Sequence, residues 1–231
     1  MIKFRSILFY FGQGLSTIPF LLISMAATLV PARRRSELIA GWATFVTWWL
    51  KITCGVDHKI EGLEKIPEYP CVFACAHQST WETIATQTFL PPLAWVLKKE
   101  LLKIPVFGWG LRATGPIAID RNDRKRALDQ VIEQGIEKIR EGRYILIFPE
   151  GTRTPYGTKG RYKKGAAQLA RAAKVPIIPV AHDAGKYWSS TTPWIKPGTV
   201  RCIFGPEIAT HGKTDVQITQ EIEQWIEAQG L

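Results

Sequence analysis

The sequence predicts an α/β domain with a largely parallel central sheet flanked by helices, preceded by an N-terminal pair of membrane-associated helices. Short apolar runs alternate with helical patterns over residues 58–231, which is typical of a parallel sheet. Two apolar segments lie within residues 1–57. Residues 124–142 place four apolar side chains on one helical face: Leu128, Ile132, Ile136 and Ile139. We therefore predict a membrane-associated segment over 1–57 and an α/β domain over 58–231.

The two N-terminal segments differ in length and in aromatic content. Residues 6–30 carry no charge and, at about 1.5 Å of rise per residue, are long enough to cross a bilayer as a helix. Residues 38–55 are shorter, and their tryptophans suit the lipid–water interface. The arginines at 33–35 favour the cytoplasmic side of an inner membrane, so we expect the domain that follows to face the cytosol. Basic residues also precede the first segment, so a single crossing, insertion into one leaflet and a buried hairpin of a soluble protein all remain open.

The elements of the α/β domain follow in alternation. Apolar runs predict strands within 56–67, 71–76, 93–98, 116–120, 144–151, 175–182 and 199–205. Helical patterns occupy the intervals, at 79–90, 100–113, 124–142, 165–174 and 215–229. Pro105 and Gly108 should break the second of these helices, Gly142 should end the third, and Asp215 is the expected N-cap of the last.

The charge balance indicates an anionic partner. Lys and Arg number 30 against 20 Asp and Glu, a net charge of +10, which fits a membrane surface, a nucleic acid or a phosphorylated substrate. Nine Trp and ten Phe favour membrane lipids. The basic residues form no nucleic-acid-binding motif, so we expect no nucleic-acid partner. HGKT at 211–214 resembles the end of a P-loop, but Glu207 stands where that motif needs glycine.

The four cysteines do not form a zinc-type pair of CxxC units. Cys71, Cys75 and His77 suggest a metal corner, but their run alternates like a buried strand and a fourth ligand is not evident. We therefore expect no metal, no resident cofactor, and reduced, buried thiols.

His77 follows an apolar strand, and Glu82 comes five residues later. The carboxyl ends of strands are where α/β folds place their chemistry. In a catalytic interpretation, neutral His77 removes a proton from an alcohol while Glu82 accepts the other ring N–H. In a structural interpretation, Ser79 and Glu82 form a capping box at a helix start. Ser79 and Cys75 are formal alternatives as nucleophiles, although each would need both base contact and an oxyanion site.

The run FPEGTR at 148–153 leaves the end of a second strand. Gly151 allows close backbone approach, and Arg153 offers a planar fork suited to a phosphate. Further basic residues precede the next helix, whose N-terminus adds partial positive charge: Lys159, Arg161, Lys163 and Lys164. A solvated basic loop is less attractive, because Glu150 inside the tight turn can brace the arginine.

Together these runs resemble the glycerolipid acyltransferases, and specifically the bacterial 1-acyl-glycerol-3-phosphate acyltransferases. The resemblance covers nearly the whole chain in four ordered blocks: His77 to Glu82, Lys98 to Arg121, 148–153 and 175–181. Most members carry Asp where this chain has Glu82, which adds one methylene of reach. FPEGTR contributes most of the specificity.

The resemblance implies a glycerolipid-acyltransferase-like fold and transfer of an acyl group from acyl-CoA or acyl-carrier protein to the sn-2 hydroxyl of lysophosphatidic acid, giving phosphatidic acid. It implies that His77 is the general base, that Glu82 is its partner, and that transfer is direct. Residues associated with the acceptor phosphate or with shaping its site are Lys98, Arg121, Glu150, Gly151, Thr152 and Arg153. The tetrahedral oxyanion also needs donors, for which backbone N–H groups near the helix start are candidates, but the sequence does not identify them.

Other functions remain open. The acceptor could instead be a lyso-ornithine lipid, another lysophospholipid or the amino group of a lipid A precursor, although the cations around FPEGTR favour a phosphate. A non-enzymatic basic membrane-binding protein is the alternative of a different class.

Overall fold

The computed structural model describes residues 1–26, 32–104, 107–120 and 124–231. Its strands are β1 (Val56–Glu61), β2 (Val72–Cys75), β3 (Leu93–Lys98), β4 (Ile117–Ile119), β5 (Tyr144–Ile147), β6 (Ile177–His182) and β7 (Gly198–Phe204). Its α-helices are α1 (Ile2–Ala26), α2 (Ala32–Cys54), α3 (Trp81–Phe89), α4 (Phe107–Ala113), α5 (Arg124–Arg140), α6 (Gly165–Ala173), α7 (Ala184–Tyr187) and α8 (Asp215–Ala228). The alternation predicted from the sequence is therefore confirmed.

The described strands form one sheet in the order β1-β7-β6-β2-β5-β3-β4. The five strands from β6 to β4 run parallel, and only β7 pairs antiparallel, with β6. The predicted largely parallel sheet is confirmed. Ala74 aligns with Ile147 of β5 and Cys75 with Val180 of β6. This register brings the carboxyl ends of β2, β5 and β6 to the same edge of the sheet.

Both faces of the sheet are covered by other elements. Neighbouring residues of a strand point to opposite faces, so each strand contributes to both cores. Phe73 and Cys75 of β2 join one core cluster, to which α2 and α3 contribute Leu50 and Trp81. Val72 and Ala74 face the other cluster, which α5, α6 and α8 complete. All four residues of β2 are buried, so the strand that leads to His77 is fixed from both sides.

Helix α1 packs along α2 and onto the α/β domain. Phe9 is fully buried in the core, Ser6 Oγ accepts from the Ile195 N–H at 2.9 Å, and the Tyr10 hydroxyl donates to the Pro193 carbonyl at 2.9 Å. The other side of α1 exposes a row of large apolar side chains: Phe4, Ile7, Leu8, Phe11, Leu15, Ile18, Leu22 and Ile23. Within the described ranges, Ile2–Ile23 is the one segment long and apolar enough to cross a membrane, a test that buried helices and signal sequences also pass.

Several element boundaries differ from the sequence-based expectations. Thr214, not Asp215, caps α8: its Oγ1 accepts from the Gln217 N–H, and Gln217 Oε1 accepts from the Thr214 N–H at 2.8 Å. Asp215 lies in the first turn and pairs with Arg171 of α6. Gly142 ends α5 as predicted, in the left-handed region with a φ of 77°.

The segment predicted as one broken helix over 100–113 divides in two. A 3₁₀ turn covers Lys99–Lys103 and α4 begins at Phe107. Pro105 lies outside the described residues, while Gly108 lies inside α4.

Candidate active site

His77 and Glu82 are in direct contact. His77 Nδ1 lies 2.7 Å from Glu82 Oε1, with the His77 side chain 14% exposed and the Glu82 side chain fully buried. A carboxylate oxygen accepts, so we assign the Nδ1 proton to His77 from this hydrogen bond. Nε2 is then the ring nitrogen with a free lone pair, in the state that a general base needs.

Glu82 also holds the loop that carries His77. Its Oε1 accepts from the N–H groups of Gln78 at 3.1 Å and Ser79 at 2.9 Å. The bond to the Ser79 N–H is half of a capping box. Helix α3 begins only at Trp81, and Ser79 Oγ accepts from the Trp81 N–H rather than from the Glu82 N–H. One oxygen of Glu82 therefore contacts both the His77 imidazole and the Ser79 N–H, so the two interpretations of Glu82 do not exclude each other.

Glu150 fixes the same loop from the other side. Its Oε1 accepts from the His77 N–H at 3.2 Å, and its Oε2 is buried with no hydrogen-bond partner in the described part of the chain. Burial, with a smaller contribution from the charge of Glu82, raises the pKa of Glu150 to about 7. The expectation that Glu150 braces Arg153 is wrong: the carboxylate turns inward beneath His77, whereas Arg153 is exposed. The Thr154 N–H donates to the His77 carbonyl at 2.7 Å and completes the link between the two loops.

The backbone amides at the start of α3 are already engaged. The N–H groups of His77, Gln78 and Ser79 donate to carboxylates, and that of Trp81 donates to Ser79 Oγ. These four N–H groups donate to internal acceptors rather than toward a substrate, so the expected oxyanion donors near the helix start stay a prediction for the other amides of this turn.

The two alternative nucleophiles are poorly placed for attack. The fully buried Ser79 donates its hydroxyl to the Trp188 carbonyl at 2.6 Å. Burial raises the pKa of the Cys75 thiol well above its ordinary value, which suppresses the thiolate. Burial likewise raises the pKa of Cys71. In the described part of the chain, no three His, Cys, Asp or Glu side chains cluster as metal ligands would.

His77 opens onto a cavity of about 680 Å³. The Phe148 ring stacks on its imidazole, with centroids 3.8 Å apart and planes inclined by 13°. Apolar side chains of β3, β4, α5 and β5 line much of the cavity: Val96, Ile119, Leu128, Val131 and Ile147. Lys163, Lys164 and the first residues of α6 also line it. The cavity thus combines an apolar wall with cations beside the imidazole.

The predicted phosphate-site residues lie near the same sheet edge. Gly151 adopts a φ of 71°, in the left-handed region that favours glycine, and lines the cavity. Thr152 and Arg153 follow it and are exposed. Lys98 is exposed at the end of β3, which lies two strands from β2, or about 10 Å at the usual strand spacing. Arg121 lies outside the described residues.

Sequence reasoning missed two residues that contact the His77–Glu82 pair. Phe148 begins the FPEGTR run, and nothing in that run indicates that its ring stacks on His77. His182 ends β6, is fully buried, and places Nε2 3.8 Å from Glu82 Oε2. The rule that pointed to His77, a polar residue at the carboxyl end of a buried strand, also fits His182.

Comparisons with known proteins agree with this architecture. The family model described as Acyltransferase matches residues 57–183. The 1-acyl-sn-glycerol-3-phosphate acyltransferase of Pseudomonas aeruginosa is 40% identical over 228 residues, which cover 96% of this chain and 88% of that protein. The enzyme of the same name from Saccharomyces cerevisiae is 34% identical over 148 residues, 62% of this chain and 48% of its own. The crystal structure of the 1-acyl-sn-glycerophosphate acyltransferase from Thermotoga maritima superposes with a TM-score of 0.78 at 22% identity, covering 100% of this chain and 98% of that one.

Proposed function

Because the chain belongs to the acyltransferase family, we propose that it transfers a fatty acyl group from a thioester to the sn-2 hydroxyl of lysophosphatidic acid and forms phosphatidic acid. The observation that carries the proposal is the 2.7 Å contact between His77 and Glu82 beside an apolar cavity rimmed by cations. The printed names of the relatives support the acceptor.

The chemistry begins with the acceptor hydroxyl. His77 Nε2 takes the hydroxyl proton as the oxygen attacks the thioester carbonyl, and Glu82 stabilises the imidazolium that forms. The tetrahedral intermediate collapses with cleavage of the C–S bond, and the imidazolium returns its proton to the thiolate that leaves. A thioester is already activated, so direct transfer balances without an acyl-enzyme.

The phosphate of the acceptor is assigned to the cationic rim. Arg153 is the first ligand in this proposal because its guanidinium can grip two phosphate oxygens. Lys98 and Arg121 are further ligands, while Glu150, Gly151 and Thr152 shape the turn. In this arrangement the acyl chain lies along the apolar wall of the cavity.

We place the enzyme on the cytoplasmic membrane, with its active site facing the cytosol. The exposed apolar side of α1 supports this location, because a continuous apolar surface of this kind favours contact with lipid. Membrane lipids and acyl-CoA or acyl-carrier protein are then the partners.

The test combines two donors with two acceptors. Purified protein is incubated with lysophosphatidic acid or lyso-ornithine lipid, each with acyl-CoA and with acyl-carrier protein, and the product lipids are identified by mass. Phosphatidic acid formed by wild type and lost in His77→Ala supports the proposal. If only lyso-ornithine lipid is acylated, the proposed acceptor is wrong. If His77→Ala turns over at the wild-type rate, His77 is not the general base.

A further inference from the structure

A second histidine lies behind the proposed base. His182 ends β6, the neighbour of β2 in the sheet, and its side chain is fully buried. Its Nε2 lies 2.8 Å from the carbonyl oxygen of Ala76, the residue that precedes His77. Its Nδ1 lies 3.3 Å from the Ala184 N–H, which donates to it. These two partners assign the proton to Nε2 and describe a neutral ring with both nitrogens engaged.

The same Nε2 lies close to the second oxygen of Glu82. The distance to Glu82 Oε2 is 3.8 Å, and this buried oxygen has no hydrogen-bond partner among the residues that the structure describes. Oε1 of the same carboxylate receives three donors: His77 Nδ1, Gln78 N and Ser79 N. The Nε2–H dipole of His182 thus lies beside the carboxylate oxygen that these three donors do not contact, at a distance longer than a hydrogen bond.

The segment that follows His182 holds the rest of the loop. The Gly185 N–H donates to Gln78 Oε1 at 3.2 Å, and the Trp188 carbonyl accepts from the Ser79 hydroxyl at 2.6 Å. A Cβ on Gly185 would come within 3.0 Å of the Gln78 Cβ, so a larger residue would push this segment away from the loop. Residues 182–188 therefore contact Ala76, Gln78 and Ser79, the neighbours of His77 on both sides.

We propose that His182 is a positioning residue for acyl transfer: its Nε2–H fixes the Ala76 carbonyl and faces Glu82 Oε2, so that Glu82 Oε1 stays on His77 Nδ1. The inference rests on the function proposed above for His77. In this proposal, His77 and His182 both lie beside the Glu82 carboxylate but have different roles. His77 opens to the cavity and gains the proton, whereas His182 has both nitrogens occupied and acts as a fixed dipole.

Neutrality is what makes the second imidazole useful. A cation at this position would compete with His77 for the charge of Glu82, and an apolar side chain would take the imidazole N–H away from the Ala76 carbonyl and from beside Glu82 Oε2. A neutral N–H avoids both outcomes because it orients the carboxylate without cancelling its charge.

The experiment compares His182→Leu with His182→Gln in steady-state assays of the full-length protein with lysophosphatidic acid and acyl-CoA. Leucine removes the donor, and we expect kcat per folded molecule to fall about 10- to 100-fold with the acceptor KM unchanged. Glutamine carries two N–H donors within reach of the same oxygens and should restore kcat to within about threefold of wild type. Val200→Ala is the matched control, since it trims a fully buried side chain on β7 without removing a hydrogen-bond donor.

A second measurement keeps this inference separate from the proposed function. The Nδ1 proton of His77, identified in proton NMR by its loss in His77→Ala, should shift or broaden in His182→Leu and return in His182→Gln, whether or not any acceptor is turned over. An unchanged signal in His182→Leu, unchanged kcat per folded molecule, or an equal loss of kcat in Val200→Ala would each overturn the positioning role.

Discussion

The two halves of the proposed site, the base half around His77 and the phosphate half around Arg153, are built differently. His77 is held through Nδ1 by the buried Glu82 and through its backbone by Glu150 and Thr154. Arg153 and Lys164, by contrast, are exposed to solvent. One half is tied into the core through specific hydrogen bonds, and the other is a set of solvated cations on loops.

The difference follows from what each half must do in the proposed reaction. A general base works only in one tautomer and one orientation, so its partners have to be in place before substrate arrives. A phosphate site has to exchange its ligand with water, and a buried cation without a partner would cost several kcal/mol. Changes in the base half should therefore act on kcat, whereas changes in the phosphate half should act on acceptor binding.

The largest effect is expected at His77. His77→Ala removes the proton acceptor, and kcat should fall by about 10⁴-fold, the upper range for loss of a general base. His211→Ala is a matched control at an exposed histidine outside the cavity and should keep wild-type turnover. Rates are measured by product-lipid formation, with thermal unfolding to confirm the fold. A loss below tenfold would contradict the role of His77.

Glu82 should give the next effect. Glu82→Gln keeps the size of the side chain but removes the charge that stabilises the imidazolium, so kcat should fall about 100-fold. Glu82→Asp keeps the charge but withdraws it by about 1.5 Å, one C–C bond, and should lie between wild type and Glu82→Gln. If aspartate matches wild type, the contact of Glu82 with Nδ1 does not depend on the added methylene.

Arg153 tests the phosphate half. Arg153→Ala should raise the KM for lysophosphatidic acid about tenfold while leaving kcat and the KM of the acyl donor near wild type, because a charged hydrogen bond to phosphate is lost. Arg171→Ala, an exposed arginine paired with Asp215 away from the cavity, is the control. If the acceptor KM of Arg153→Ala is unchanged, Arg153 does not bind the phosphate. If only kcat falls, Arg153 acts together with the base half.

The smallest effect on turnover is expected at Glu150, where the change appears in stability. Its pKa rises from 4.5 to about 7 on folding, so the folded state binds the proton more tightly than the unfolded chain. The free energy of unfolding should therefore fall as pH rises from about 4.5 to 7, by at most about 3 kcal/mol at 1.36 kcal/mol per pKa unit.

Glu150→Gln should remove this pH dependence and keep the acceptor for the His77 N–H. The measurement is thermal or urea unfolding of both proteins at pH 5 and pH 8, with kcat recorded at each pH. Equal losses of stability in the two proteins would show that the dependence arises elsewhere, and a large fall in kcat would show that the Glu150 charge serves catalysis.

Local patterns were sufficient to predict most of the fold. Apolar runs of strand length and helical periodicity depend on residues close in sequence, so the strands and helices from β1 to α8 were predicted near their observed positions, with the exception of the short helix α7. The antiparallel pairing of β7 with β6 was not predicted, because nothing local distinguishes the two directions of a buried strand. The cap of α8 was misplaced by one residue for a related reason: Thr214 and Asp215 are both good capping residues.

By itself the sequence determined that His77 and the FPEGTR run follow strand ends and that Glu82 lies in the first turn of the next helix, since both follow from neighbours along the chain. Only the tertiary structure decided where their hydrogen bonds go. The Glu150 carboxylate reaches the His77 N–H across 73 residues, and His182 reaches the Ala76 carbonyl across 106. Such contacts depend on which strands lie side by side and on the register between them, which neither composition nor periodicity encodes.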